Sequence, residues 1–360
     1  MLNLVTNMTE RRDEFWDVVK GIGIVAVYLG HTLPWGTLAS RIIYDFHMPL
    51  FFFVSGALFK PEKFKSAGEI VRSIVLGLFL PYVVFVTMAN AICWDFYGLK
   101  WRENLMSCAW ATLVHGYGAW SLWFLTCLAS VKMTMWTIHR LHFLNGMRKW
   151  GILTVVAVVA HVIWAFSGNW LHRSIRLAPF MALSVPCSLV FFLSGNFLRE
   201  VVSKWVQMNR MWQRWLFCGL SFGFLIASAV NVPIPFDLRI ARFPAIALVP
   251  CAFGLMFVFS LASLMRGVCL RRLLAFWGKF SLCMFALEPI LAFVYARILN
   301  LWGLNLPEVD WAHGQVSWND ILVRNVVVIA VVSLLSPPLM TMIRSLKGVL
   351  TTWWRDDNDS

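Results

Sequence analysis

The chain is poor in charge. Asp, Glu, Lys and Arg make up only 14% of its 360 residues, against about 25% in an ordinary soluble domain. Carboxylates are the scarcer sign, 18 against 31 basic residues, which leaves a formal net charge of +13. With 59% hydrophobic residues and a mean hydropathy of +0.70, a soluble enzyme is excluded and an all-α polytopic membrane protein is indicated. The positive balance does not point to nucleic acid. The basic residues lie in short loops between apolar runs, a distribution that suits the positive-inside rule and anionic lipid.

Other devices are missing too. The eight cysteines, at 93, 108, 127, 187, 218, 251, 269 and 283, form no CxxC pair, and most fall inside apolar runs. They read as small buried hydrophobes, not as a disulfide framework or a metal site. No secretory signal is evident, because the first seventeen residues are polar and no small-residue cleavage site follows the first apolar run. That run is expected to remain as a span. No soluble domain is expected beyond the last span, and the tail from Arg355 to Ser360 is polar.

A crossing helix needs about 20 mostly apolar residues. About ten segments qualify, near 18–35, 44–60, 72–94, 119–138, 150–167, 177–199, 213–232, 243–265, 274–299 and 321–343. With the N-terminus in the cytoplasm, the inner segments carry nineteen Lys and Arg and the outer ones eight. The alternation holds across all ten spans, which sets an N-in, C-in orientation. The expected organisation is a cytoplasmic segment 1–17, a membrane domain 18–345 and a cytoplasmic tail 346–360. A multi-pass protein of the bacterial inner (plasma) membrane follows.

The stretch from Asp17 to Phe59 carries what lipid should reject: Lys20, His31, Asp45 and His47. An ionisable group at membrane depth costs about 2.5–3.5 kcal/mol on insertion scales, so such residues are expected to serve function. Lys20 and His31 are eleven residues apart. At 100° and 1.5 Å per residue they share one helix face to within about 20° and lie about 16 Å apart along the axis. Lys132 and Lys279 also fall inside spans in the cytoplasmic half, and Arg72 opens the third span on that side. The outer half instead holds His31, Asp45, His47, His161 and Glu288, with Arg324 opening the tenth span. Cations thus gather inward and acid/base groups outward, as a cytoplasmic anionic ligand reaching an outer acid/base centre would require. Taken singly, each lysine can instead snorkel to the headgroups, and Asp17 can pair with Lys20 three residues on.

Two outer segments, 95–118 and 300–319, mix Trp101, Trp110, Trp302, Trp311 and Trp318 with His115, Tyr117, Glu308, Asp310 and His313. Interfacial tryptophans commonly form an aromatic belt; a platform for stacking a sugar ring is the alternative. FFFVSG at 51–56 recurs loosely as VFFLSG at 190–195. One short echo of this kind, with Ser and Gly permitting close helix approach, reads as packing.

The sequence DVVKGIGIVAVYLGH over 17–31, FHMPLFFFVSG over 46–56, Arg72 with LPY at 80–82, and LWFL at 122–125 together resemble acyltransferase family 3, the integral-membrane O-acyltransferases. The likeness is densest over 13–82, and the full HMPLFFFVSG form is most similar to the branch described as fucose 4-O-acetylase and related acetyltransferases. The resemblance implies an acyl-CoA donor, usually cytoplasmic acetyl-CoA. It also implies an acceptor hydroxyl on a glycan or lipid-linked sugar at the outer face. On the family pattern His31 is the catalytic histidine, Lys20 its basic companion, and Arg72 the basic residue opening the third span. One departure stands out: near the end of the ninth span many relatives carry His-Pro, where this chain has Glu288-Pro289.

Acyl transfer to a hydroxyl needs a base and something to stabilise an oxyanion. His31 suits the base. A carboxylate on its other nitrogen would fix the tautomer, and both Asp45 and Glu288 are candidates. His47 suits a second acid/base group or an oxyanion donor. Lys20, Arg72, Lys132 and Lys279 suit the phosphates of acetyl-CoA, and no metal is called for. Direct transfer and an acyl-enzyme route both remain open. The competing class is a transporter or flippase, since polar groups at mid-membrane also suit a substrate pathway.

Overall fold

The computed structural model describes residues 2–34, 36–92, 122–140, 149–166, 179–208, 210–231, 245–265, 267–304 and 317–356. All regular structure among them is helical. In chain order the helices are α1 (Leu2–Gly30), α2 (Leu38–Leu58), α3 (Ala67–Ile74), α4 (Leu80–Ile92), α5 (Trp123–Arg140) and α6 (Lys149–Phe166). They continue with α7 (Val185–Met208), α8 (Met211–Asn231), α9 (Leu248–Leu264), α10 (Val268–Lys279), α11 (Ser281–Asn300) and α12 (Trp318–Asp356).

A helix lies over each of the ten expected segments. Six stretches among the described residues are long and apolar enough to cross a membrane: Ala67–Ala89, Val185–Gln207, Met211–Asn231, Ala245–Leu264, Ser281–Asn300 and Trp318–Thr351. The segments expected at 18–35, 44–60 and 119–138 are helical as well, and they carry the polar side chains that matter below.

The ninth expected segment, 274–299, needs correction. It is two helices, because the chain breaks at Phe280 (φ −102°, ψ 16°) between α10 and α11. The cause lies in α10. Its VCLRRLLAFWGK sequence is too charged for a span, and its backbone is pressed against α1. A Cβ at Gly278 would sit 1.7 Å from the Asp17 carbonyl oxygen, and one at Gly21 would sit 2.1 Å from that of Leu274. Two glycines thus let α1 and α10 approach at backbone distance, as small residues do between packed membrane helices. Bidentate bonds from Arg271 to Glu14, both 3.0 Å, tie the same pair together.

The echo between 51–56 and 190–195 has a direct structural meaning. Gly56 of α2 lies against the Phe192 carbonyl of α7, and Gly195 of α7 lies against the Phe53 carbonyl of α2; a Cβ at either would fall 1.9 Å from oxygen. The two SG pairs are the two halves of one reciprocal crossing. Asn196 seals it by donating to the Gly56 and Phe59 carbonyls at 3.2 and 3.1 Å.

Local signals set the helix starts. Thr37 caps α2 by accepting from the Ser40 N–H, and Ser66 caps α3 by accepting from Glu69. The Glu69 side chain returns to the Lys65 N–H at 2.7 Å, a variant of the capping box. Between α3 and α4 a π-helical stretch, Val75–Phe79, widens the third span; such bulges recur at functional sites. The last helix, α12, runs unbroken from Trp318 to Asp356, past the expected tenth span and through most of the expected tail. Arg72 donates to its Thr351 carbonyl at 3.0 Å.

Five of the six described cysteines are buried and unbridged, and Cys269 is exposed. The expectations for Trp101, Trp110, His115, Tyr117, Glu308, Asp310, Trp311 and His313 lie outside the described residues. Trp302 and Trp318 are exposed.

Candidate active site

His31 follows directly on α1, and its N–H still bonds the Val27 carbonyl at 3.0 Å, so it keeps the helical register of Lys20. Its Nδ1 lies 2.8 Å from Glu288 Oε2 on α11. A carboxylate oxygen accepts, so Nδ1 carries the hydrogen and Nε2 is left with its lone pair free to act. The choice between Asp45 and Glu288 is thereby resolved in favour of Glu288.

Glu288 is 1% exposed and is gripped on its other oxygen by Arg324 of α12. Sequence reasoning placed Arg324 only at the mouth of the last span. In the fold it is 2% exposed and sits behind the catalytic candidate. From Arg324 the network runs on: its guanidinium donates to Asn325 Oδ1 at 3.0 Å, and the Asn325 amide donates to Thr32 Oγ1 at 2.9 Å. The Thr32 hydroxyl in turn donates to the Tyr28 carbonyl at 2.9 Å. The chain of bonds returns to α1 beside His31. The Tyr28 hydroxyl closes the frame by donating to the Met284 carbonyl of α11 at 2.9 Å.

Three helices are thus pinned around one imidazole. A buried charge is tolerated when paired and bonded, and Glu288 has a partner on each oxygen. His31 itself keeps 29% of its side chain exposed.

The other outer candidates stand elsewhere. His47 is 4% exposed, and its Nδ1 donates to the Ile43 carbonyl of its own helix at 2.9 Å. Its ring packs edge-on to Tyr44, with centroids 4.9 Å apart, and Tyr44 in turn lies beside Gly30. Asp45 is buried, and its backbone carbonyl accepts from the Cys251 thiol at 2.7 Å. His161 accepts from the Ala245 N–H at 3.3 Å.

At the other end of the shared face lies a cavity of about 310 Å³. Lys20 and Lys132 both line it, with Ser55 and Ser281 among otherwise apolar walls, and Leu78 of the π-helical stretch contributes to one side. Lys20 pairs with Asp17 at 2.6 Å, the pairing its spacing allowed. Lys132 has no carboxylate partner among the described residues; its ammonium lies 6.0 Å from the centroid of the Phe59 ring. The cavity therefore keeps a net positive charge at one end. Lys279 and Arg72 are not among its lining residues. Lys279 sits in the last turn of α10, its ammonium 6.0 Å from the Phe280 centroid, and Arg72 is turned to α12.

The KGIGI run now reads residue by residue. Lys20 faces the cavity, Gly21 meets α10, and Gly23 makes room for Phe51, whose ring would lie 3.0 Å from a Cβ there.

An imidazole held by a buried carboxylate can move a proton, and a largely apolar cavity lined by two lysines on the same helix face can take an amphipathic anion. A family model described as an acyltransferase domain, that of acyltransferase family 3, matches residues 13–340, and the chain belongs to this family of multi-pass membrane acyltransferases. Neither a search of curated proteins nor one of solved structures returned a match.

Proposed function

We propose that this protein is an O-acetyltransferase of the bacterial plasma membrane. It moves an acetyl group from cytoplasmic acetyl-CoA to a hydroxyl of a cell-surface or lipid-linked glycan. The carrying observation is the His31–Glu288–Arg324 arrangement, which leaves His31 Nε2 as the proton acceptor.

Glu288 fixes the tautomer and steadies the imidazolium as it forms, the part a buried carboxylate plays in a serine-hydrolase triad. Arg324 orients Glu288. In the reaction the acceptor hydroxyl gives its proton to Nε2 while its oxygen attacks the thioester carbon. The tetrahedral adduct then collapses; the C–S bond breaks, the C–O ester remains, and the departing thiolate takes the proton from Nε2. Where a carboxylate–imidazole pair does this work, general-base assistance contributes about 10²–10⁴-fold.

Lys132 and Lys20 hold the donor's phosphates, and the pantetheine arm follows the face toward His31, a span of about 16 Å by helix geometry. With the N-terminus in the cytoplasm, as the distribution of basic residues favours, the lysine end lies on the cytoplasmic side, where the donor is made. The same orientation puts His31 toward the outer side, where the acceptor lies.

The test is transfer of label from [acetyl-¹⁴C]acetyl-CoA to a glycan acceptor in proteoliposomes, comparing the protein with His31→Ala. Label on the acceptor with the parent protein only is the expected result. Movement of glycan across the bilayer without label would replace this reading by a transporter.

A further inference from the structure

The hydrogens of the buried network behind His31 run in a fixed order, and that order singles out one residue. A guanidinium such as that of Arg324 has only donors, and a carboxylate such as that of Glu288 only acceptors. The Thr32 hydroxyl has a single hydrogen. It points to the carbonyls of Tyr28 and Leu29, at 2.9 and 3.2 Å, so toward α12 the oxygen can only accept. Asn325 stands between Arg324 and Thr32. It accepts from the guanidinium on Oδ1 at 3.0 Å and donates to Thr32 Oγ1 through Nδ2 at 2.9 Å. One orientation of the amide satisfies both neighbours, and the opposite one satisfies neither. A carboxylate in this place could accept from Arg324 and could not donate to Thr32; an aliphatic side chain could do neither.

The placement is as specific as the chemistry. Arg324 and Asn325 are neighbours on α12, about 100° apart around its axis. The first reaches Glu288 on α11, and the second reaches Thr32, the residue after His31. The proposed base and its carboxylate are therefore held from one point on α12. Glu288 is held through the guanidinium, and His31 through its backbone neighbour. An arginine side chain has many rotamers to lose, and Asn325 fixes the tip of this one where it meets Glu288. Thr32 and Asn325 are both buried, so a bond lost here leaves a polar group without its partner.

We propose that Asn325 is a positioning residue for acyl transfer: it locks Arg324 against Glu288 and ties that pair to the end of α1 that carries His31. The inference rests on the acyltransferase reading above and adds a residue that acts through Glu288 and His31. Its physical basis is geometric. A reacting group misplaced by about 1 Å can lose about 10²-fold in rate. Release of the guanidinium frees Glu288 to shift by such an amount.

The experiment measures kcat and donor KM for label transfer from acetyl-CoA in proteoliposomes. The variants are Asn325→Leu, the near-isosteric Asn325→Asp, Thr32→Val and Thr32→Ser, with Asn325→Asp made also in the Glu288→Gln background. Asn325→Leu, Asn325→Asp and Thr32→Val are each expected to lower kcat by about 10–100-fold and to leave the donor KM unchanged. Thr32→Ser keeps the hydroxyl and is expected to recover most of the loss seen in Thr32→Val. In the Glu288→Gln background Asn325→Asp is expected to cost little more, because the pair it serves is already disabled. A purely structural residue would instead lower the active fraction by the same factor in both backgrounds. Thermal midpoints in detergent identify the folded variants. If Asn325→Leu does not fold, Asn325→Asp and Thr32→Val decide the matter. Equal losses in the two backgrounds, a change confined to the donor KM, or full kcat in folded Asn325→Asp overturns the proposal. Absence of transfer with the folded parent protein would instead count against the acyltransferase reading itself.

Discussion

His31 and Glu288 are 257 residues apart in the chain and 2.8 Å apart in the fold. The contact engages Nδ1, so the proposed base is Nε2.

Glu288→Gln keeps the size of the side chain and removes its charge. It should lower kcat by about 10²–10⁴-fold, because the amide can no longer enforce the tautomer or balance an imidazolium. The donor KM should change little, since Glu288 does not line the cavity. Steady-state kinetics that showed a raised KM at constant kcat would contradict this role.

Replacing the carboxylate by a second imidazole should not preserve activity. Glu288→His would place an imidazole between His31 and the buried Arg324 guanidinium and leave that cation without its carboxylate. Removing one partner of a buried pair costs about 3–5 kcal/mol. Both the activity and the thermal midpoint in detergent should fall, and a second change, Arg324→Met, should recover the midpoint and not the activity.

The two cavity lysines should separate under mutation. Lys20 is already paired with Asp17 at 2.6 Å, whereas Lys132 faces the cavity with only the Phe59 ring near its charge. Lys132→Ala should raise the donor KM about tenfold, in line with loss of a charge-assisted contact of about 1.5 kcal/mol, and Lys20→Ala should raise it less. Asp17→Asn frees Lys20 and should lower the donor KM. Titration with acetyl-CoA at two salt concentrations checks all three, and a fall in kcat alone would remove the lysines from donor binding.

Close helix approach gives a stability prediction with an internal control. Gly56→Ala and Gly195→Ala would each press a methyl into a carbonyl of the facing helix. They should destabilise by about 1–3 kcal/mol or more, as overpacking does. Gly219→Ala on α8 meets nothing within 4 Å and should be neutral or mildly stabilising, since alanine is the better helix former. Thermal unfolding in detergent distinguishes the three.

What could be read from the chain was local. The helical face shared by Lys20 and His31, the Asp17–Lys20 pair and the close packing at the two SG echoes all follow from short-range spacing, and the fold bears them out. The choice between Asp45 and Glu288 was not readable, because it depends on how α11 docks against α1. Arg324 was missed as a site residue for a related reason. Next to the polar segment 300–319 it looked like a residue at a helix mouth, and only packing shows it enclosed. The one available signal was an Arg-Asn pair set directly before the apolar run VVVIAVV. The break at Phe280 was masked because the end of α10, LAFWG over 274–278, runs on toward the apolar sequence of α11, while the charged first half of α10 fell outside the expected segment.

The imidazole at the end of α1 is 29% exposed, while the carboxylate behind it is sealed. On the proposed reading, the acceptor and the thioester reach the reacting atoms from opposite quarters. Neither has to vacate a shared doorway for the other. Spent thiol can withdraw the way it came while the modified sugar drifts off on the far side, so turnover needs no rocking of the whole bundle between two mouths.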